Sequence, residues 1–397
     1  MSLTHALRFN TLPTQRPVLT RRLFSVSLLA ASIGVVSQAS AAPGVDHSVK
    51  VDESVYEIAF NGDNDTLYAA VTGSRKAADK DSGEKAVKPG IVALDAETLD
   101  EVDKILTGDV IPFGIAINHA TQTLYAADTK NGQVGVYDID SGEELALIEN
   151  PGEASGHLRQ IVIDEDSNTI YVSAFGGVSR GDEPAPKSAV WVIDGDTNTL
   201  KDTIMNPVQS AAGLALDAAN QRLYVADLAA SEIAEIDLKS KNHEVLRTFS
   251  AVELNENDPD AKPEKFDTIN LELDVDNGIL YAINQKTGGV SIINVESGEI
   301  ETTVSTGDGA LSARLHPQSG DLYVANRGDG TVSIIDADSR YVTAHLGTGT
   351  HPQTIAIDPK TGNVYVSNKA KGKDRHGPED APTPVEPGGN TVTLITP

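Results

Sequence analysis

Beyond residue 41, apolar residues come in short runs rich in Val, Ile and Leu, bounded by Gly, Asn and Asp, and none shows the spacing of an amphipathic helix. Such runs are strands. One of them recurs: Leu67-Tyr68-Ala69-Ala70, Leu124-Tyr125-Ala126-Ala127, Ile170-Tyr171-Val172-Ser173, Leu223-Tyr224-Val225-Ala226, Leu280-Tyr281-Ala282-Ile283, Leu322-Tyr323-Val324-Ala325 and Val364-Tyr365-Val366-Ser367. The tyrosines are spaced by 57, 46, 53, 57, 42 and 42 residues. The shortest spacing suits one four-stranded blade of a β-propeller.

Each tetrad follows an apolar strand and a turn, as in Ile355-Ala356-Ile357-Asp358-Pro359-Lys360-Thr361-Gly362-Asn363 before Val364-Tyr365. A third strand of the Thr331-Val332-Ser333-Ile334-Ile335-Asp336 kind, a polar turn and a fourth strand such as Tyr341-Val342-Thr343-Ala344 come next. Each repeat therefore reads a, b, c, d. The last repeat stops after a third strand, Asn390-Thr391-Val392-Thr393-Leu394-Ile395, and His47-Ser48-Val49-Lys50-Val51 precede the first strand a. We expect the N-terminal strand to complete the last blade, three strands plus one, which leaves no free sheet edge between the ends of the array. The expected fold is all-β, a single seven-bladed propeller over residues 42–397 with four antiparallel strands per blade.

Residues 1–41 read differently. Arg21 and Arg22 precede an apolar run from Leu23 to Val36 and the small-residue pattern Ala39-Ser40-Ala41, which predicts a signal peptide cleaved near Ala41-Ala42 and a periplasmic location. Thr20-Arg21-Arg22-Leu23-Phe24 fits a twin-arginine signal, and an ordinary Sec signal fits as well. The run is too short to span a bilayer.

Residues beyond the minimal repeat fall at 72–89, 174–188 and 368–389, between strands b and c, and at 250–266, between d and the next a. Both connections leave a propeller on one face, so that face carries all the insertions and is the expected binding face. The formal charge is −27, and the four arginines of residues 1–41 leave the remainder more acidic still. A surface of that sign repels polyanions at long range. The c–d turns hold many of the acids, Asp95, Asp138, Asp194 and Asp336 among them, whereas Lys130, Arg327 and Lys369 follow strands b on the insertion face.

Aligning strands a gives two rings about the axis. The first is Glu57, Gly114, Gln160, Gly213, Asn270, Ser312 and Thr354; the second is Ala59, Ala116, Val162, Ala215, Glu272, Arg314 and Ala356. Glu272 and Arg314, equivalent in neighbouring blades, should form a channel ion pair. Tyr56, Phe113 and Arg159 fall at the channel mouth, placed to stack on and pair with a planar anionic group. The expected ligand residues are thus Tyr56, Phe113, Lys130, Arg159, Arg327 and Lys369. There are no cysteines, no histidine pair with ligand spacing, no nucleophile elbow and no phosphate-binding glycine loop, so no metal, cofactor or catalytic residue is expected. Glu57, His157 and Glu272 are the acid–base groups nearest the mouth.

The tetrads followed by Asn326 and Asn368, the third strand Thr331–Asp336, and segments such as Pro112-Phe113-Gly114, Gly213-Leu214-Ala215-Leu216-Asp217 and Thr350-His351-Pro352 resemble the YVTN-repeat propellers of the exported bacterial YncE-like family, from residue 46 onward. The resemblance implies a periplasmic propeller and single-stranded DNA binding, and carries over no catalytic motif. From the residues we expect a monomeric binding or interaction module that takes an anionic ligand or a periplasmic protein at the insertion face and channel mouth. The alternatives are a single-stranded DNA binder and a lactonase-like or dehydrogenase-accessory enzyme component.

Overall fold

The computed structural model describes residues 42–73, 87–152, 154, 156–176, 187–253, 265, 267–372 and 386–397. The expected signal peptide and the middles of the insertions lie outside them. Among the described residues no helix is long and apolar enough to cross a membrane.

The described chain forms 28 strands in seven four-stranded antiparallel sheets. Blade 1 is Val55–Asn61 (a), Thr66–Val71 (b), Gly90–Asp95 (c) and Glu101–Leu106 (d). Strands a of blades 2 to 7 are Pro112–Asn118, His157–Asp164, Ala211–Asp217, Thr268–Asp274, Ala310–Leu315 and Pro352–Ile357. Each strand a touches that of the next blade, and the seventh touches the first, so the array is closed. Blade 7 takes its strand d, Gly44–Lys50, from the N-terminus, paired from Gly44 opposite Thr396 to Lys50 opposite Thr391. The expected three-plus-one closure is present.

The sequence pattern follows from what covers each strand. Strands b and c are sandwiched between neighbouring blades and bury both faces; Thr123–Asp128 is buried at every position. They read as unbroken apolar runs for that reason. Strand d lies at the rim and is largely exposed, as in Glu101–Leu106. The core is consequently split into layers between blades. One such layer joins Tyr125, Val134 and Val136 of blade 2 to Ile161, Val172 and Trp191 of blade 3, and the Trp191 indole donates to Ala154 O at 2.9 Å.

The repeated tyrosines fill the layers between blades, and two of them also bond to the neighbouring blade. All seven are buried. Tyr125 Oη donates to Asn198 Oδ1 in the c–d turn of blade 3 (3.1 Å), and Tyr365 Oη donates to Ala96 O in the c–d turn of blade 1 (3.0 Å). Burial pushes hydroxyls such as those of Tyr125 and Tyr365 up to about 12, so they stay protonated donors. At Tyr125 and Tyr365 the ring fills the layer and the hydroxyl satisfies the neighbour's turn, which phenylalanine cannot do.

Candidate binding site at the channel mouth

The first ring of strand-a residues is a belt of inter-blade contacts. Ile115 N–H donates to Glu57 Oε2 (3.3 Å), Leu214 N–H to Gln160 Oε1 (2.7 Å), Asn270 Nδ2 to Leu311 O (2.7 Å), Ser312 Oγ to Gln353 O (2.8 Å) and Ile58 N–H to Thr354 Oγ1 (3.1 Å). The two remaining members are glycines, and the next blade explains both. A Cβ on Gly114 would lie 1.9 Å from Arg159 O, and one on Gly213 would lie 2.5 Å from Asn270 Cα. Backbone meets backbone at these two steps; a side chain bridges at the other five.

Above this belt each strand a begins with a register irregularity, in blades 1 to 7 between Val55/Ile58, Pro112/Gly114, Leu158/Ile161, Ala211/Leu214, Thr268/Asn270, Ala310/Ser312 and Pro352/Ile355. Strict alternation would send consecutive residues to opposite faces. The bulge re-aims them. Tyr56 and Glu57, Arg159 and Gln160, and Gln353 and Thr354 accordingly all line one cavity of about 300 Å³ at the mouth.

Five of the six expected ligand residues meet there: Tyr56, Phe113, Arg159, Arg327 and Lys369. The rings of Tyr56 and Phe113 lie 4.4 Å apart, tilted by 42°. The Arg159 guanidinium lies 5.8 Å from the centre of Phe113, and the Lys369 ammonium 3.8 Å from the centre of Tyr56, where it also contacts the phenol oxygen. Arg327 and Lys369 follow strands b of blades 6 and 7, Leu322–Asn326 and Val364–Asn368, so the site draws on strand starts and b–c connections from the same end of the propeller. Lys130 is placed elsewhere. It sits exposed in a tight turn whose N–H groups are held by Asp128 Oδ1, and it does not line the cavity.

Glu57 belongs to this wall as much as the cations do. Burial pushes its carboxyl up to about 7, opposed by Arg314, by the Ile115 hydrogen bond and by Arg159. Burial also lowers Arg159, with Glu57 acting against it. His157 lies 2.6 Å from Thr129 Oγ1; partial desolvation beside Phe113 and Phe175, then Arg159, bring it down to about 4, although the residue as a whole is exposed. It is therefore neutral near pH 7. Gln160, Asn270, Gln285 and Gln353 complete the polar wall. The ring alignment held a signal for Glu57 and Gln160, and Gln285, missed in the sequence, stands at the same repeat position as Arg327 and Lys369, the second residue after the tetrad.

The expected channel pair is formed, Arg314 Nη1 to Glu272 Oε2 at 3.2 Å, with Leu315 N–H donating to Glu272 Oε1 at 2.9 Å. Burial raises the Glu272 carboxyl and Arg314 opposes the shift. Arg314 lines a second cavity, about 640 Å³, with largely apolar walls that include Ile117, Pro317 and Ile357. Glu57 is common to both cavities. On the c–d turns the acids cap their own backbone: Asp138 Oδ1 accepts from Ser141 N and Oγ, and Asp336 Oδ1 from Ser339 N. Among the described residues no group of three or more His, Asp or Glu side chains converges to hold a metal ion.

The chain matches no protein-family profile. Over 292 residues it is 33% identical to the uncharacterized protein YncE of Salmonella typhi, an overlap covering 70% of this chain and 74% of that one. Over 297 residues it is 31% identical to the uncharacterized protein YncE of Escherichia coli strain K12, covering 72% and 76%. Identity at that level across more than two thirds of both chains, on a closed seven-bladed propeller, makes this chain a member of the YncE-like family.

Proposed function

We propose that this chain is an exported binding protein of the periplasm whose channel mouth takes a planar anionic small molecule. The observation that carries the reading is the pairing of two half-buried aromatic rings, Tyr56 and Phe113, with Arg159, Arg327 and Lys369 around one cavity. Rings supply a flat apolar surface, and guanidinium and ammonium groups supply charge-assisted bonds at its edge. The cavity lies near the low end of the size range of small-molecule sites.

The test is calorimetric titration of residues 42–397 with 2-naphthoate, a bicyclic planar carboxylate, with 2-naphthylmethylamine as the cationic control. Binding of the carboxylate alone, weakened by Arg159→Ala and by Lys369→Ala, is the expected result. Affinity untouched by both substitutions would falsify the proposed site. The same rings and cations form a stacking platform for unpaired bases, which favours single-stranded DNA as the second reading. Oligothymidylate binding that falls steeply with salt and is lost in both variants would put that reading first.

A further inference from the structure

Of the five side chains that bridge strands a in the first ring, Gln160, Asn270, Ser312 and Thr354 are neutral and Glu57 is an acid. Gln160 occupies the equivalent place two blades on and makes the same bond, to a backbone N–H of the next strand a, at 2.7 Å against 3.3 Å for Glu57. An amide thus meets the structural requirement of this position. Glu57 keeps part of its surface exposed in the cavity wall, and even a partly desolvated carboxylate costs free energy that the amide does not. Its presence at Glu57 calls for another reason, and its place in the wall supplies one.

Glu57 lines the mouth cavity beside the cations that would hold the ligand. The charged and titratable groups around it are Arg159 from strand a of blade 3, Arg314 from blade 6 with its partner Glu272 from blade 5, the Tyr56 phenol on its own strand, Lys369 behind Tyr56 and Arg327 across the mouth, with Asp63, His119 and Lys360 lining the second cavity that Glu57 also borders. Ionised, Glu57 opposes the field of Arg159 and repels an anion in the cavity. Protonated, it keeps a carbonyl oxygen for Ile115 N–H and turns one O–H donor toward the ligand.

We propose that Glu57 is the specificity-determining residue of the mouth: the site takes up a planar monoanion together with one proton, which resides on the Glu57 carboxyl. The inference rests on the anion-binding reading above. The balance is simple: ionised carboxylate, proton and monoanion give a complex in which the carboxyl is neutral and the ligand keeps its charge. The carboxyl lies poised for this, because burial already holds it near neutrality. The ligand class narrows accordingly to monoanions that offer an acceptor to the Glu57 hydroxyl. Dianions without such an acceptor are disfavoured.

Calorimetric titration of residues 42–397 with 2-naphthoate, which stays a monoanion throughout, decides the matter when run at about pH 6 and about pH 8 in buffers of different ionisation enthalpy. We expect uptake of about one proton at the higher pH, and affinity that weakens by up to about tenfold per pH unit above about pH 7. Glu57→Gln, which copies Gln160, should bind at the higher pH as the parent does at the lower one and lose the pH dependence. Binding with no proton uptake and equal affinity at both pH values overturns the inference and leaves the anion site standing. So does a weaker, still pH-dependent Glu57→Gln. No 2-naphthoate binding at either pH removes both. If Glu57→Gln does not fold, the proton count of the parent protein decides alone.

Discussion

The Lys369 ammonium lies 3.8 Å from the centre of the Tyr56 ring, a contact between the last and the first complete strand pairs of the chain. Blade 7 and blade 1 meet there, so the seam that closes the propeller also forms one side of the mouth. Nearby, Ser367 Oγ donates to Tyr56 O at 2.5 Å, and Phe60 stacks on Tyr365 at 5.8 Å.

Because that closure has other supports, Lys369→Ala should separate binding from stability. A half-exposed cation over a ring contributes about 0.5–1 kcal/mol, so the unfolding midpoint should move by only a few degrees. Loss of a charge-assisted bond to the ligand should weaken 2-naphthoate binding by about tenfold or more. Calorimetry and a thermal melt on one preparation measure both.

Gly213→Ala should do the opposite and damage the fold. Its Cβ would meet Asn270 Cα at 2.5 Å, backbone that can retreat only by moving blade 5. Overpacking of this kind costs about 1–3 kcal/mol or more. Gly347→Ala, where nothing lies within 4 Å of the added atom, is the control and should be near neutral. Urea unfolding midpoints of the two variants check the contrast.

Stability should respond to pH with two opposite signs. The carboxyls of Asp138 and Asp336 lie below the usual 3.8 because the Ser141 and Ser339 side chains and the turn backbone bond the ionised form. Their contribution is present above that value and is lost as pH falls through the lower folded values. Thermal midpoints should therefore drop below about pH 4, less so in Ser141→Ala with Ser339→Ala. Glu57, held near 7 against an ordinary 4.5, is costly when ionised; the cost is full above about pH 7, shrinks as pH falls from there and is gone only below about 4.5. Glu57→Gln should raise the midpoint most at about pH 8, much less at about pH 5, and not at all at about pH 4.

Removal of residues 42–51 should leave blade 7 without its outermost strand. Strand c of blade 7, Thr391–Thr396, would lose its partner Gly44–Lys50 and expose unpaired backbone groups. Exposed strand edges of this kind associate. We expect a lower unfolding midpoint and concentration-dependent light scattering; a monomer with an unchanged melt would contradict the structural importance of closure.

The site was legible to the extent that it is built from repeat positions. Tyr56, Phe113 and Arg159 are equivalent residues of blades 1, 2 and 3, and alignment alone puts them at one height on the axis. Arg327 and Lys369 follow strand b in blades 6 and 7 and arrive at the same wall. Lys130 lies one position further on: the blade 2 residue equivalent to Arg327 and Lys369 is Thr129, so Lys130 falls in the turn held by Asp128 and not on the wall. The acids of the c–d turns read as surface charge in sequence, whereas Asp138 and Asp336 act first as turn caps.

By itself the sequence determined the seven blades, their strand order and the closure by the N-terminal strand. Strands sandwiched on both faces must be apolar throughout and turns must be polar, so a local pattern repeated seven times suffices. Only the tertiary structure decided which residues share the mouth. A bulge at the start of every strand a overrides two-residue alternation and brings Tyr56 and Glu57, or Arg159 and Gln160, to the same wall. It also decided the proton affinity of Glu57, which burial raises and the arginines of blades 3 and 6 oppose, from residues more than a hundred positions away in the chain.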